Sequence, residues 1–198
     1  MAGRPRVRAE RLDKRSIVEA ALTVASRDQM AGLTMRAVSD ELQVSVGAVY
    51  KHIAGRDALI ALVVEEILGQ APPMAPDAGD GWLALRAQVL GIQALIDRYP
   101  GLDQIVIAHS PKSPKANELR REGMAALQSD GLTLDEAHRV YRAVTWLWLG
   151  SRVALEGRPR RDTDIDTFAE ALDILISGLK QEIAESRHRD AARTVRKG

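Results

Sequence analysis

A group of small, hydroxyl-bearing and basic side chains between positions 34 and 56 offers the clearest chemistry in this chain. The run Ser45-Val46-Gly47-Ala48 joins one hydroxyl to three small side chains, and Tyr50, Lys51 and His52 follow it. Small side chains let a backbone approach the edges of nucleic-acid bases, whereas hydroxyl and cationic groups bond phosphate oxygens. This spacing therefore favours contact with a polyanion over covalent chemistry.

Composition excludes several other kinds of site. The 198 residues contain no cysteine, which excludes disulfides, thiolate metal sites and cysteine nucleophiles. The four histidines, at 52, 109, 138 and 188, include no i,i+4 pair that could form a metal-binding helix face. No apolar run reaches the roughly 18 residues that a membrane span requires, and the arginine-rich start has no signal-peptide core. We therefore expect a cytoplasmic protein without a metal or other cofactor.

Charge is segregated along the chain, although the formal net charge is only +1. Residues 1–56 carry 10 basic and 6 acidic side chains, and residues 57–186 carry 13 basic and 20 acidic ones. Residues 187–198 add 5 basic and 1 acidic side chain. A basic front on an acidic body indicates a polyanionic partner at that end.

Apolar residues recur at helical spacing through almost the whole chain, and no stretch alternates for long enough to predict a strand. We therefore predict an all-α protein whose first helix covers 14–27. Thr34 is suited to cap the second helix, Gly55 opens the fourth, and Thr133 with Glu136 forms a capping box. The later helices are predicted over 82–99, 102–109, 115–129, 134–156 and 164–187.

Prolines and glycines divide the chain. Residues 69–81 contain three of each, which is typical of a linker. The predicted organisation is a basic N-terminal arm over 1–13, a first helical domain over 14–68, the linker over 69–81, a second helical domain over 82–187 and a basic tail over 188–198.

Residues 34–53, TMRAVSDELQVSVGAVYKHI, have the pattern of a helix-turn-helix. The first helix would rest on the core, Gln43-Val44-Ser45 would form the turn, and the second helix would place its small N-terminal side chains in a major groove. Arg56 would add a positive group beside the same surface. The alternative is an ordinary corner between two helices, but the basic front favours the DNA-reading interpretation.

Residues 14–68 resemble the DNA-binding domain of the tetracycline-repressor (TetR) family of bacterial transcriptional regulators. The similarity is most specific in VSVGAVYKHIAGRDALI, where a tyrosine and a basic residue precede histidine. The chain departs from the family pattern at Ile53, where phenylalanine is common, and at Gly55, where serine or asparagine is commoner. Neither departure conflicts with the resemblance, because isoleucine still fills a core position and glycine is an acceptable cap.

The resemblance implies a role for each residue of this surface. The residues that would contact phosphates are Thr34, Ser45, Tyr50, Lys51 and Arg56. Those that would face base edges are Val46, Gly47, Ala48 and His52, with Arg36 close to the DNA.

The two basic ends of the chain have different expected roles. Arg4, Arg6 and Arg8 surround Pro5 in a run that is similar to the core of an AT-hook, whose arginines enter a narrow minor groove. The alternative for this arm is a solvated segment that adds only nonspecific attraction. The C-terminal tail is expected to be a solvated run of charges.

The last two predicted helices are apolar on more than one side. Ala137, Val140, Tyr141, Val144, Leu147 and Trp148 form one stripe, whereas Trp146 and Leu149 point elsewhere. A helix with two apolar faces packs both within its own subunit and on something else, which favours a four-helix bundle shared by two copies. The alternative is full burial of both helices within a monomer.

By the same resemblance, the domain over 82–187 would bind an effector as well as dimerise. Candidate cavity residues combine apolar walls with a few polar groups. They are Trp82, Arg86, Gln93, Ile105, His109, Met124, Tyr141, Arg142 and Trp146. For each of them alone, an ordinary core or capping role is the alternative.

These observations together predict a ligand-responsive repressor that binds a palindromic operator as a homodimer and is released by a small-molecule effector. An enzyme is disfavoured, because no Gly-x-Ser-x-Gly motif or phosphate-binding glycine loop accompanies Ser110 and His109. The remaining alternative is a helical protein-interaction module that does not bind DNA. Neither alternative involves a membrane.

Overall fold

The computed structural model describes residues 12–72, 74, 80–109, 113–154 and 161–195, and every regular element within them is helical. In chain order the helices are α1 (Lys14–Gly32), α2 (Met35–Glu41), α3 (Val46–Tyr50), α4 (Arg56–Gly69), α5 (Gly81–Asp97), α6 (Leu102–His109), α7 (Pro114–Ser129), α8 (Leu134–Ala154) and α9 (Asp162–Val195). The prediction of an all-α fold is confirmed. Among these residues, no helix combines the length and the apolar character that crossing a membrane would require.

Local capping chemistry sets where several helices begin. Asp13 accepts a hydrogen bond from the backbone N–H of Ser16 at 2.8 Å, and the Ser16 hydroxyl accepts one from the Asp13 N–H at 3.1 Å. Thr34 accepts from the backbone N–H three residues on, at 3.0 Å. Thr133 and Glu136 form the predicted reciprocal box, with bonds of 2.8 and 3.3 Å. Each cap satisfies a backbone donor that the helix itself leaves free.

Three helix ends differ from the sequence-based prediction. α1 was predicted to end at residue 27 but extends to Gly32, because a further helical turn follows the kink at the non-helical residue Gln29 (φ 62, ψ 174). α5 ends at Asp97 rather than at Tyr99, because a residue that precedes proline is disfavoured in helical geometry. α9 continues to Val195, so the predicted tail is helical for most of its length. Residues 179–195 contain neither glycine nor proline, and therefore nothing in them ends the helix.

The chain divides into two compact units, of which the first comprises residues up to Gln70 together with Ala94–Ala116. Within this unit α1 packs on α2 and α4, and α2 packs on α3. The fully buried apolar side chains of its N-terminal helices are Ile17, Ala21, Val24, Ala25, Leu33, Val38, Val49, Leu59, Val63 and Ile67. This core holds the helix-turn-helix in place.

Residues 94–116 join the first unit through backbone contacts. The Met30 N–H donates to the Pro100 carbonyl at 3.1 Å, and the Lys115 N–H donates to the Glu65 carboxylate at 3.0 Å. The unit therefore extends beyond residues 14–68, the first domain predicted from the linker. The functional division at residues 69–81 stays a prediction.

The second unit comprises Ala71–Gln93 and the chain from Asn117 onward. Its core brings together α5, α7, α8 and α9 around Leu85, Leu127, Val140 and Leu172. The sequence-predicted stripe of α8 faces this core, because Ala137, Val140 and Val144 are buried and Tyr141, Leu147 and Trp148 pack against it.

Ion pairs connect distant parts of the chain within this second unit. Arg86 donates from Nη2 to Asp173 on α9 at 2.8 Å. Arg187 donates to Glu136 at 2.7 Å and to the Gly131 carbonyl at 2.8 Å. Arg187, the last residue of the predicted second domain, stays exposed, and the helical course of α9 carries it to the start of α8.

Candidate nucleic-acid interface

The short helix α3 has one buried side and one open side. Val49 is fully buried and Ile53, just beyond the helix, is 2% exposed, so both anchor α3 in the core of the first unit. Tyr50 is 53% exposed although it is a large aromatic residue. Lys51 and His52 beside it are exposed as well. Because Ile53 is buried, it packs in the core at the position where the TetR pattern commonly has phenylalanine.

The start of α3 presents its backbone and smallest side chains to solvent. Ser45 is exposed and caps the helix by accepting from the Ala48 N–H at 3.3 Å. Its hydroxyl proton stays available for donation to an external oxygen. Gly47 is exposed, and a Cβ placed on it would meet nothing within 4 Å. Val46 and Ala48 are half-buried, so Gly47 is the most open of the predicted base-facing residues.

The turn that precedes α3 depends on a left-handed backbone conformation. Gln43 has φ 54, and the Val44 N–H closes the turn on the Ser39 carbonyl at 3.0 Å. A residue other than glycine in this conformation costs about 1–2 kcal/mol. The buried Ser39 and the core contacts of α2 and α3 maintain it. The predicted helix-turn-helix therefore has the geometry of a tight, specific turn.

The starts of α2 and α4 are joined beside α3. Arg56 donates from Nε to the Leu33 carbonyl at 3.2 Å, and Leu33 immediately precedes the capping residue Thr34. Gly55, the N-cap of α4, has φ 141 and ψ −174. Side chains other than glycine rarely adopt this conformation. The backbone geometry therefore requires glycine at position 55. The family pattern, in which serine or asparagine is commoner here, does not indicate this requirement.

Positive charge on this surface is largely uncommitted. Within the part of the chain that the structure describes, Lys51 and His52 form no ion pair. Arg36 lies 3.9 Å from Asp40 on the exposed face of α2, a weak contact that solvent screens. Thr34, Arg36, Tyr50, Lys51, His52 and Arg56 are all exposed. Arg4 and Arg6 lie outside the described residues.

The candidate effector residues do not share one environment. Trp82 and Met124 are buried in the core of the second unit, with Lys180 lying 5.5 Å over the Trp82 ring. Arg86 is held by Asp173, and Gln93 is 2% exposed. Trp82, Gln93 and Met124 are therefore interior, whereas Arg86 is only half-buried, and both Trp82 and Arg86 have structural partners of their own.

Other candidates fall elsewhere. Ile105 is half-buried and belongs, with His109, to the first compact unit. The side chain of His109 lies outside the described residues. Tyr141 is largely buried against the core, and this burial raises the pKa of its hydroxyl.

Two candidates on α8 are corrected by the structure. Arg142 is exposed and Trp146 is 66% exposed, so neither lines the interior of the described chain. Trp148 was not among the candidates, yet its indole Nε1 is buried, and Arg152 lies 5.2 Å over its ring. Trp148 follows Tyr141 by seven residues in the predicted apolar stripe of α8, so the two side chains share a helix face. This spacing could have identified Trp148 as a candidate.

Comparison with known proteins agrees with this geometry. Residues 17–63 match the family model described as bacterial regulatory proteins, tetR family. The HTH-type transcriptional repressor DrrR1 of Streptomyces coeruleorubidus is 32% identical over 120 residues, which cover 59% of this chain and 44% of DrrR1. This chain therefore spans less than half of the length of that relative.

Solved structures extend the similarity beyond the N-terminal helices. A TetR variant from Acinetobacter baumannii AYE in complex with minocycline is 25% identical, with a TM-score of 0.72 over 86% of this chain and 98% of that one. BioQ of Mycobacterium smegmatis, solved with its natural double-stranded DNA operator, is 24% identical, with a TM-score of 0.70 over 85% and 98% of the two chains. The segment that matches the tetR family model contains the helix-turn-helix of α2 and α3, so the N-terminal helices of this chain are similar to the corresponding domain of the tetR family of bacterial regulatory proteins.

Proposed function

We propose that this chain is a ligand-responsive transcriptional repressor that binds a palindromic double-stranded operator as a homodimer. A small-molecule effector binds the second unit and releases the protein from DNA. The observation that carries the proposal is the two-sided character of α3. Its buried side is held by Val49 and Ile53, whereas Gly47, Tyr50 and Lys51 are open to a partner.

This open surface suits a DNA groove in shape and charge. Gly47 has no side chain to keep the backbone away from base edges, and Ser45 offers a hydroxyl at the same end of α3. Lys51, with Arg56 at the start of α4, supplies positive charge for phosphates. DrrR1, the 32% identical relative, is itself a transcriptional repressor, which supports repression over activation.

Exposed apolar residues on α8 and α9 support the homodimer. Trp146 is 66% exposed, Val153 64%, Ile165 41% and Ile174 74%. Large apolar side chains exposed on two long helices that already pack on each other are suited to an interface with a second copy. Such a pair of subunits would present two copies of α3 to major grooves about 34–36 Å apart.

The effector half of the proposal is supported by the likeness to the TetR variant solved with minocycline, a small molecule. The buried or half-buried candidates of the second unit that remain are Trp82, Arg86, Gln93, Met124 and Tyr141. Ile105 and His109 belong to the first unit and are not assigned to this site. Arg4 and Arg6 are proposed to enter the minor groove beside the operator. We place the protein in the cytoplasm, where the DNA is.

A footprint on the DNA that flanks the gene of this protein tests the proposal. We expect protection of a near-palindrome whose half-sites lie one or more whole helical turns apart. Sedimentation of the free protein at micromolar concentration should show a dimer. A stable monomer that protects no DNA, and that captures a protein instead, would replace the proposal with a helical interaction module.

A further inference from the structure

Gln93 and Trp148, both in the second unit, bury polar atoms that have no hydrogen-bond partner among the described residues. Gln93 on α5 is 2% exposed, and neither its Oε1 nor its Nε2 is bonded. On α8, the indole Nε1 of Trp148 is also buried and unbonded. More than nine in ten buried polar groups in proteins have a partner, so these two groups require a physical explanation.

The helices place both groups at one level of the second unit. A Cβ on Gly123 of α7 would lie within 3.3 Å of Leu85 and Gln88 on α5 and of Tyr141 on α8, so the three helices meet there. The start of α5 is bonded to Asp130 at the end of α7. α5 is therefore antiparallel to α7.

A turn closed by the Leu132 N–H on the Leu127 carbonyl joins α7 to α8, and Tyr141, seven residues into α8, lies against Gly123, six residues before the end of α7. α8 is therefore antiparallel to α7 as well. α5 and α8 consequently run in the same direction. Gln93 lies five to eight residues beyond the crossing level on α5, and Trp148 lies seven residues beyond Tyr141 on α8. At 1.5 Å per residue both groups are about 10 Å past the crossing.

Both groups also face the same core. Trp148 follows Tyr141 at i+7, and Gln93 follows Val89 at i+4, so each shares a helix face with its predecessor. Tyr141, Trp148 and Val89 all pack against the core of the second unit. The unbonded atoms therefore lie in one layer beside an apolar wall.

Gln88, one turn and a half earlier on α5, shows how an ordinary buried glutamine is satisfied. It is 4% exposed and donates from Nε2 to the Leu119 carbonyl at 3.1 Å. Gln93 has the same chemistry on the same helix but no such bond. A buried amide without a partner opposes folding, because it loses its bonds to water.

We propose that Gln93 and Trp148 are hydrogen-bonding groups of the effector site, and that the effector is a largely apolar molecule carrying an acceptor and a donor together. This inference rests on the proposed function only in that the bound molecule is the effector. The indole N–H and Gln93 Nε2 need acceptors, whereas Gln93 Oε1 needs a donor. A carboxylate supplies acceptors only and would leave Gln93 Oε1 unbonded. A primary amide, or a hydroxyl beside a carbonyl, offers both acceptors and a donor and can therefore bond the indole N–H, Gln93 Nε2 and Gln93 Oε1.

The test uses three probes of similar size on the full chain. Benzamide offers an acceptor and a donor, acetophenone an acceptor only, and ethylbenzene neither. We expect benzamide to bind the wild-type protein about tenfold more tightly than ethylbenzene, with acetophenone between them. In Gln93→Leu benzamide should lose its advantage over acetophenone, because the acceptor for its N–H is gone, while both should still bind more tightly than ethylbenzene through the indole N–H. In Trp148→Phe the advantage of acetophenone over ethylbenzene should fall, because only Gln93 Nε2 remains to donate to it. Ligand-observed NMR and calorimetry measure these affinities.

Stability of the free proteins provides the second readout. Gln93→Leu should raise Tm, because it removes a buried polar group that has no partner. Gln88→Leu is the matched control, since it breaks the bond to Leu119 and should lower Tm while leaving the order of the probes unchanged. A lower Tm for Gln93→Leu, or equal binding of benzamide and ethylbenzene by the wild type, would overturn the inference.

Failure of this inference is distinguishable from failure of the proposed function. Operator binding is measured on the same wild-type preparation. Absence of operator binding contradicts the proposed repressor even when the probes are discriminated. Normal operator binding together with equal affinities for the three probes contradicts only the assignment of Gln93 and Trp148 to the effector site.

Discussion

Arg56 donates from Nε to the backbone carbonyl oxygen of Leu33 at 3.2 Å, and this bond joins the first residue of α4 to the loop between α1 and α2. The side chain thus has a structural partner while it remains exposed at the proposed DNA surface. Its two roles can be separated, because Lys retains the charge but has no fixed guanidinium Nε.

We predict that Arg56→Lys lowers the free energy of unfolding by about 1 kcal/mol, because the bond to Leu33 is lost. The salt dependence of operator binding should stay as in the wild type. Arg56→Ala should lose both the bond to Leu33 and the phosphate contact. The slope of log operator affinity against log salt should then be smaller by about 2 units per dimer, since each phosphate contact adds roughly 0.9. Urea unfolding and anisotropy titrations at several salt concentrations measure the two effects. Unchanged unfolding of Arg56→Lys would show that the bond contributes nothing.

Lys51→Ala should weaken binding to specific and nonspecific DNA by the same factor. Lys51 is exposed and is free of ion pairs with other described residues, so its removal leaves the fold intact. For a dimer the slope of log affinity against log salt should fall by about 2 units, and Lys51→Arg should preserve it. A slope that Lys51→Ala does not change would mean that this side chain makes no phosphate contact.

Substitution of Gly47 should separate folding from DNA recognition. A Cβ at this position meets nothing within 4 Å, so Gly47→Ala should stabilise the free protein by about 0.5–1 kcal/mol through its better helix propensity. The same Cβ would stand between the backbone and the base edges. Gly47→Leu should therefore fold normally and lose specific operator binding, as seen by circular dichroism and footprinting. Gly69→Ala, at another open helical glycine that lies on neither the proposed DNA surface nor the proposed dimer surface, is the control that should leave binding unchanged.

Gly55 should tolerate no side chain without a cost. Its φ of 141 and ψ of −174 lie in a region that is essentially restricted to glycine. Gly55→Ala should destabilise the protein by about 1–3 kcal/mol in denaturant unfolding. Gly55→Ser should recover part of this loss if the backbone relaxes enough for serine to cap α4. A serine variant more stable than the wild type would mean that the glycine conformation is not needed.

Acid should weaken the attachment of α9 to α8. Hydrogen bonds from Arg187, and further bonds from Thr133, lower the pKa of Glu136 from 4.5 to about 2. Because the folded pKa lies below the ordinary value, ionised Glu136 stabilises the fold above pH 4.5, and this stabilisation is lost as the pH falls toward 2.

The variant Glu136→Gln measures this contribution. We expect a loss of about 1 kcal/mol at neutral pH, a modest value because solvent screens the pair. The unfolding free energies of variant and wild type should converge as the pH falls toward 2. Parallel curves across this range would show that Glu136 is not the group responsible.

Features that depend on a few adjacent residues were predictable from the sequence. The caps at Asp13, Thr34 and Ser45 each need a side-chain oxygen and a backbone N–H two or three residues away, so their chemistry is local. The apolar period that predicts the helices is local as well. The helix-turn-helix and its exposed residues follow from these signals.

Tertiary packing decided the rest. Arg86 and Asp173 are 87 positions apart, and no local pattern pairs them. Trp146 and Trp148 are two positions apart on α8, yet the first is 66% exposed and the second buries its indole nitrogen, because a two-residue step rotates a side chain by about 200° around a helix. Gln88 and Gln93 are identical in chemistry, and only the neighbouring helices determine that one amide finds a carbonyl and the other does not. Periodicity specifies which residues can share a face, whereas the partner that the face meets is a property of the assembled helices.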